Sequence, residues 1–207
     1  MNEAVARNPA SIPAPLPMES ISRLALALRP VLKFPDPRLR EKSRPIETIT
    51  DELRQLALDM CEVMYDEPGI GLAAPQVGEG VRLIVVDTQW NEEGAERSPL
   101  ILVNPVLSEP AGKVVWKEGC LSVPDLEAEV ERAERILLRA TDLEGAEIAI
   151  RAEGLQAVCF QHEVDHLEGT LFLDRISQLK RSRYVLRRKK QLRREQEEGP
   201  AVEAAEP

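Results

Sequence analysis

The chain has 207 residues, a length that fits one domain with tails and allows a sizeable core. Its 43% hydrophobic and 30% charged residues are typical of globular proteins, and no apolar run approaches the roughly 18 residues that span a bilayer. The net charge of −9 argues against polyanion binding by the whole protein. Three widely spaced cysteines argue against a disulfide framework, so we expect a reducing, cytoplasmic setting.

The first 30 residues are rich in proline, alanine and serine and have little hydrophobic period. This composition predicts a flexible N-terminal arm over 1–30, with a short helical turn between Ser20 and Leu28. The globular part is expected to begin near Val31.

A helix is predicted after Thr50, which can cap it, with Asp51 and Glu52 suited to the helix dipole. Apolar residues then recur at helical spacing, so one stripe of this helix faces a core. That stripe comprises Leu53, Leu56, Met60 and Val63 or Met64. The pair Pro68-Gly69 should end the helix.

The segment Gly69–Gly78 holds three glycines, two alanines and one long polar side chain, Gln76. Such a segment is typical of a loop or edge strand that something approaches closely, or of a packed glycine turn. These residues alone favour the two interpretations about equally. A phosphate loop is excluded because no Gly-Lys-Ser/Thr ending is present.

The middle of the chain predicts strands joined in antiparallel fashion. They are expected at Val81–Val86, Leu100–Val103 (ending at Asn104-Pro105), Lys113–Trp116, Glu127–Glu131, Arg135–Thr141 and around Ile148–Ile150. A hairpin turn is expected at Asp142–Gly145. Between Gly119 and Pro124 the chain should form a constrained turn that exposes Cys120.

The second helix is predicted from Glu153-Gly154 to Gly169 and carries His162-Glu163-Val164-Asp165-His166. Its two histidines are the only ones in the chain. Positions i and i+4 lie on one helix face, so both imidazoles can reach one metal ion, with Glu163 beside it as a general base. A surface helix that carries two histidines by chance is the simpler alternative.

A catalytic metal usually has three protein ligands, so two histidines are too few for such a site. The metzincin extension fails because Phe172 stands where its last histidine belongs. Cys159 lies seven residues before His166, about 10 Å of helix rise, which is too far for both to bind one ion. Cys120 arrives on a separate loop, and geometry therefore favours it.

Three segments together resemble the signature motifs of the peptide deformylases: Gly69–Gly78, Glu118–Ser122 and Gln161–His166. The likeness covers about 31–179, which we expect to be the catalytic domain. The strand pattern and the resemblance together predict an α+β fold. Mostly antiparallel sheets should pack around a central helix that carries HExxH, followed by a C-terminal helix.

The resemblance implies a hydrolase of N-terminal methionine processing that removes the formyl group from formyl-methionine of nascent polypeptides and releases formate. Its metal ligands would be Cys120, His162 and His166, holding one divalent ion, Fe²⁺ in the first place, with Ni²⁺ or Zn²⁺ as alternatives. Metal-activated water would attack the formyl carbonyl with Glu163 as general base.

Further roles also follow from the resemblance. The Gln76 side chain and the Leu121 N–H would bind the oxyanion. Glu118 and Arg132 would form a charge pair that supports the cysteine loop. The methionine pocket would comprise Ile70, Gly71, Trp116, Leu155, Val158 and Cys159, although ordinary core packing explains the last three about as well. One departure from the motifs is acidic sequence at 125–127, where many relatives carry an arginine, so peptide preference beyond methionine stays open.

A third helical stretch is predicted from about Gln178, and its part 180–194 should be a basic C-terminal helix with nine basic residues and no acid. These basic residues could simply form a solvent-exposed helix face, or they could bind a polyanion. Bacterial deformylases dock on the ribosome with a C-terminal helix, so the ribosome is the expected partner. The acidic tail 195–207 should be disordered, and the protein should be a monomer.

Two other functions compete with deformylation. One is a metal-dependent peptidase or another amidase, which the absence of a zincin-type third ligand disfavours. The other is a non-enzymatic, ribosome-associated relative, which the intact Gln76, Cys120 and Glu163 disfavour.

Overall fold

The computed structural model describes residues 29–198. Residues 1–28 and 199–207 lie outside that range, together with the turn expected at 20–28, nearly all of the predicted arm and most of the predicted tail. The helices are α1 (Asp51–Asp66), α2 (Gly154–Leu167) and α3 (Gln178–Glu198). The strands are β1 (Gly71–Ala73), β2 (Leu83–Val86), β3 (Leu100–Ala111), β4 (Val114–Cys120), β5 (Val123–Arg132), β6 (Arg135–Thr141) and β7 (Glu147–Glu153).

Five strands form one sheet in the order β1-β2-β3-β6-β7, and β4 and β5 form a separate hairpin. Every pair of these named strands is antiparallel. This arrangement confirms the predicted α+β class with antiparallel sheets. None of the helices in 29–198 combines the length and apolar character needed to cross a membrane.

Helices α1 and α2 cover opposite faces of the sheet. Successive residues of a strand point to opposite faces, and β2 shows this alternation. Leu83 and Val85 join the cluster that contains the buried stripe of α1. Ile84 and Val86 join the cluster that contains the buried side of α2. The strand is therefore buried on both faces, which explains its continuous apolar sequence.

One predicted strand end is wrong. The sequence suggested that the strand from Leu100 stops at Asn104-Pro105, but β3 continues to Ala111. The register with β6 shifts between Val103 and Val106, and Asn104 has a φ of 52°. The Asn104 side chain also bonds both the N–H and the carbonyl of Ile46, at 2.8 and 2.7 Å. Asn104-Pro105 is therefore a bulge within the strand.

The helix boundaries follow local signals. The Thr50 hydroxyl accepts a hydrogen bond from the Leu53 N–H at 3.3 Å, as expected of a cap. After α2, Gly169 has a φ of 68°, and a side chain there would collide with the Arg40 carbonyl. Helix α3 begins at Gln178, as predicted, and continues through 195–198, which the sequence assigned to a disordered tail.

A third cluster attaches the β4–β5 hairpin and α3 to the rest of the fold. Tyr184 of α3 is buried there against residues of the hairpin and of the turn after α2. The other buried members of this cluster are Leu39, Val123, Ala128, Val130, Leu171, Phe172 and Leu173. This packing places the end of the hairpin over α2.

Candidate metal centre

Helix α2 presents both histidines on one side. His162 and His166 are buried, and their ring centroids lie 5.1 Å apart. Phe172, which occupies the place of the metzincin histidine, stacks on the His162 ring with centroids 6.1 Å apart. The helix therefore supplies two adjacent ring nitrogens in an apolar setting.

Cys120 meets these histidines from the end of β4. Its Sγ lies 3.3 Å from His166 Nε2. Within residues 29–198, the ligand atoms of Cys120, His162 and His166 lie within 4.8 Å of one another. Cys159 is not part of that group, and its thiol contacts the Ile70 carbonyl at 3.6 Å. One thiolate and two imidazoles are a donor set that suits Fe²⁺, Ni²⁺ or Zn²⁺.

A buried ion network holds His162 in place. His162 Nδ1 lies 2.8 Å from Glu118 Oε2, which leaves Nε2 for a ligand. The Arg132 guanidinium donates two hydrogen bonds to the Glu118 carboxylate, at 2.7 and 2.8 Å, and a third to Asp165 at 2.5 Å. Burial would raise the pKa of Glu118, but the bonds from Arg132 and His162 outweigh it and lower that pKa to about 2. Glu118 is therefore ionised and accepts from both neighbours.

The two histidines differ in their proton affinity. Burial would lower the pKa of His162, but bonds with Cys120 and Glu118 raise it well above its usual value. Burial lowers the pKa of His166 well below its usual value. Ligation requires neutral imidazole and thiolate, so cation binding releases protons here.

Glu163 is a buried carboxyl beside this group. A Cβ added at Gly71 would lie 2.5 Å from Glu163 Oε1, so β1 passes the carboxyl closely only because residue 71 is glycine. Glu163 Oε2 has no hydrogen-bond partner among the described atoms. Burial raises the pKa of this group to about 7. A carboxyl poised in this way can both take and give a proton near neutral pH.

Gln76 points its amide nitrogen toward Cys120. Its Oε1 accepts from the Ala73 N–H at 2.8 Å, which orients the other end of the amide. Nε2 lies 3.2 Å from Ser122 Oγ and 3.7 Å from Cys120 Sγ. The glycine-rich segment thus forms edge strand β1 and a 3₁₀ turn, Ala74–Val77, that aims one donor at the site.

A cavity of about 650 Å³ opens in front of these groups. Most of the residues proposed from the sequence line it: Ile70, Gly71, Gln76, Trp116, Glu118, Cys120, Leu121, Leu155, Val158, Cys159, His162 and Glu163. The two exceptions lie behind the wall, where His166 contacts Cys120 and Arg132 contacts Glu118.

Sequence reasoning missed Ser122 and Asp165 as parts of the site. Both residues lie inside the deformylase motifs, but no role was predicted for either. In the structure Ser122 contacts Gln76, and Asp165 contacts Arg132 and Arg175. The available signal was position alone, because Asp165 stands one turn after His162.

Comparisons with known proteins agree on one family. The polypeptide deformylase family model matches residues 28–182. The chain is 52% identical over 164 residues to the peptide deformylase of Alkalilimnicola ehrlichii, which covers 79% of this chain and 89% of the relative. It is 50% identical over 163 residues to that of Rhizobium meliloti, covering 78% and 92%.

Solved structures agree with the sequences. The crystal structure of a peptide deformylase from Legionella pneumophila has a TM-score of 0.75 at 41% identity, covering 84% of this chain and all of that one. The Ehrlichia chaffeensis peptide deformylase in complex with actinonin has a TM-score of 0.74 at 37% identity, covering 80% and 98%.

The fold and its relatives place the chain among the metal-dependent hydrolases, and the Cys–His–His group is a possible binding site for that metal. Because the family model spans most of the chain and relatives share half of its residues, the chain belongs to the polypeptide deformylase family. Enzymes of this family remove the N-formyl group from nascent polypeptides.

Proposed function

We propose that the deformylation takes place in the cavity at one divalent metal ion held by Cys120, His162 and His166. The observation that carries the proposal is the mutual proximity of their three ligand atoms, within 4.8 Å, beside the buried Glu163. Such a cation supplies a Lewis acid that makes water nucleophilic near neutral pH. We take Fe²⁺ as the physiological ion because the deformylase motifs imply it, and Ni²⁺ and Zn²⁺ as substitutes.

Glu163 acts as general base and then as general acid. Its unpartnered Oε2 takes the proton of the attacking water as the new C–O bond forms at the formyl carbon. The same carboxyl then gives this proton to the amine nitrogen as the C–N bond breaks, so formate and a free amino terminus leave. A pKa near 7 suits both roles, and burial is what raises it.

Gln76 and Leu121 bind the negative charge that develops on the formyl oxygen. The Gln76 amide nitrogen already points at the cysteine, since its oxygen is held by the Ala73 N–H. The Leu121 N–H lies next to Cys120 at the cavity wall. Donors fixed before the reaction stabilise such charge without reorganisation.

The methionine side chain fits the apolar part of the cavity. Its proposed walls are Ile70, Gly71, Trp116, Leu155, Val158 and Cys159. Burial raises the pKa of the Cys159 thiol well above its usual value, with Glu163 adding to the effect. Cys159 is therefore an uncharged thiol in the wall of the cavity. Glu118 and Arg132 have a different role, because Glu118 contacts His162 Nδ1 and is itself held by Arg132.

Formate release tests this proposal. The metal-loaded enzyme should release formate from formyl-Met-Ala-Ser and leave unformylated Met-Ala-Ser intact. A chelator should abolish the reaction, and added Fe²⁺ should restore it. Cleavage of the unformylated peptide would instead favour a peptidase, and no release by metal-loaded protein would reject the proposal.

We also propose that α3 contacts ribosomal RNA. Within 29–198, Arg181 and Arg188 form ion pairs with Asp174 and Glu195. The exposed cations of 180–194 without an ion pair in 29–198 are Lys180, Arg183, Arg187, Lys189, Lys190, Arg193 and Arg194, of which Arg187 donates to the Asp125 carbonyl. Unpaired cations on one helix can bind the phosphates of RNA. The ribosome is a suitable partner because it supplies the nascent chains that are the substrate.

The free thiols of Cys61, Cys120 and Cys159 suit a reducing cytoplasm. We propose that the protein acts there as a monomer.

Charge substitution tests the ribosome contact better than truncation, because deleting α3 would remove buried Tyr184. The double variant Lys189→Gln/Arg193→Gln should sediment less with ribosomes and show a weaker dependence on salt. The matched control, Arg135→Gln/Arg151→Gln, removes two exposed cations from the sheet. Equal binding by both variants and by the unmodified protein would reject the contact.

A further inference from the structure

The turn that carries Leu121 lacks the backbone geometry that is most favoured for its length. Cys120 pairs with Val123, so Leu121 and Ser122 form a two-residue connection between β4 and β5. The turns most favoured for such connections have a positive φ at one or both central residues, because their twist matches that of the flanking strands. Neither Leu121 nor Ser122 is among the described residues with positive φ. Contacts from elsewhere must therefore help to hold this turn.

Those contacts come from three consecutive residues, 32–34, which we name the tie segment. The Phe34 N–H donates to the Ser122 carbonyl at 2.8 Å, and the Leu32 N–H donates to the Gln76 carbonyl at 2.7 Å. The Lys33 ammonium donates to the Leu121 carbonyl at 3.0 Å. The tie segment thus contacts both loops that carry the proposed oxyanion donors.

The Lys33 bond acts on the residue whose N–H faces the reaction. The N–H and the carbonyl of Leu121 belong to the two peptide groups that meet at its Cα. The N–H turns through ψ of Cys120 and φ of Leu121. Because Cys120 is held on one side by its pairing with Val123, holding the carbonyl on the other side of Leu121 restrains the peptide group between them. No described backbone hydrogen bond outside the helices and strands uses this N–H as a donor, so it is available to a ligand.

We propose that Lys33 is a positioning residue: its ammonium holds the Leu121 carbonyl so that the Leu121 N–H stays directed at the formyl oxygen. The inference rests on the proposed role of Leu121 in binding the oxyanion. Lys33 lies outside all three deformylase motifs, and it is neither one of the proposed metal ligands nor one of the residues that line the cavity.

A lysine suits this task. A charged donor makes a stronger hydrogen bond than a neutral one. The long, flexible side chain of lysine lets its ammonium reach the Leu121 carbonyl, which lies 88 residues later in the sequence. Glu67, next to the end of α1, lies 3.6 Å from the same ammonium and helps to orient it. The Lys33 side chain is 34% exposed, so water weakens the bond, and we expect a moderate effect on catalysis.

The test compares three variants of the metal-loaded enzyme with formyl-Met-Ala-Ser as substrate. Lys33→Met should lower kcat about 10-fold, because a small misplacement of a donor is costly, with KM and metal content unchanged. Lys33→Arg should restore most of kcat, since it also donates from a charged group. Lys42→Met is the matched control: Lys42 is an exposed lysine that pairs with Glu168 and not with Leu121, so its loss should keep kcat.

A spectroscopic readout accompanies the kinetics. In ¹⁵N-labelled protein, the amide nitrogen of Ser122 shares a peptide group with the Leu121 carbonyl. Its resonance should shift in Lys33→Met and return in Lys33→Arg. If Lys33→Met fails to fold, Lys33→Gln provides the same test, because its shorter side chain cannot make the bond.

The outcomes separate the two hypotheses. Unchanged kcat in Lys33→Met, a loss that Lys33→Arg does not recover, or a loss that follows metal content would each overturn the role of Lys33. If the unmodified enzyme releases no formate, the proposed function fails and this inference fails with it. If the unmodified enzyme is active and the Lys33 variants keep its kcat, the role of Lys33 is rejected and the proposed function stands.

Discussion

The candidate metal centre has two halves that are built in different ways. The helix half comprises His162, Glu163 and His166, which lie within five consecutive residues of α2. The loop half comprises Gln76, Cys120 and Leu121, where Gln76 and Cys120 are 44 residues apart. Helical periodicity alone brings the first group together. The second group depends on long-range contacts, including those of the tie segment.

The halves also differ in what stabilises them. Behind the helix half lies a buried ion network of Glu118, Arg132 and Asp165, in which every charge has a partner. The loop half is held mainly by hydrogen bonds to backbone carbonyls and N–H groups. Substitutions in the helix half should therefore separate proton transfer from metal binding, and those in the loop half should affect the oxyanion.

The largest effect should come from Glu163 in the helix half. Glu163→Ala should keep the metal and lower kcat by about 10²–10⁴-fold, the usual contribution of a general acid–base. Formate release and metal analysis on the same sample measure both quantities. Glu168→Ala, an exposed acid just after α2, is the control and should behave like the unmodified enzyme. Appreciable turnover by Glu163→Ala would remove the carboxyl from the mechanism.

Gln76 should give the next largest effect and represents the loop half. Gln76→Ala should lower kcat by about 10²–10³-fold, because one oxyanion donor is lost, with metal content unchanged. Gln55→Ala removes an exposed glutamine of α1 and serves as the control. Near-normal turnover by Gln76→Ala would mean that the loop half does not bind the oxyanion.

The difference between the halves also explains what the sequence could predict. The pairing of His162 with His166 follows from i, i+4 spacing, and Cys120 follows from the helix rise that excludes Cys159. The role of Gln76 came only from the resemblance, since a lone glutamine among glycines carries no signal. The contacts of Ser122, and the bulge at Asn104, depend on partners distant in sequence, which no local pattern reveals.

Glu118 tests whether the ion network serves the metal or the chemistry. Glu118→Gln should weaken metal affinity by about 10–100-fold, since partners behind a ligating histidine tune its binding. Titration with Zn²⁺ measures the affinity, and formate release at saturating metal should recover most of the turnover. A low kcat that persists at saturation would assign Glu118 a role beyond the support of His162.

The smallest effect should come from Ser122, which accepts a hydrogen bond from Gln76 at 3.2 Å. Ser122→Ala should lower kcat by only about 2–10-fold, the range expected for one neutral hydrogen bond. The double variant with Gln76→Ala should be no slower than Gln76→Ala alone. Additive losses would show that Ser122 acts independently of Gln76.

The central claim is that Cys120 joins the two histidines at one ion. X-ray absorption on zinc-loaded protein measures the ligands directly. We expect one sulfur at about 2.3 Å and two imidazole nitrogens at about 2.0–2.1 Å. The sulfur shell should disappear in Cys120→Ala and persist in Cys159→Ala. A spectrum without sulfur, or a sulfur shell lost only in Cys159→Ala, would contradict the account.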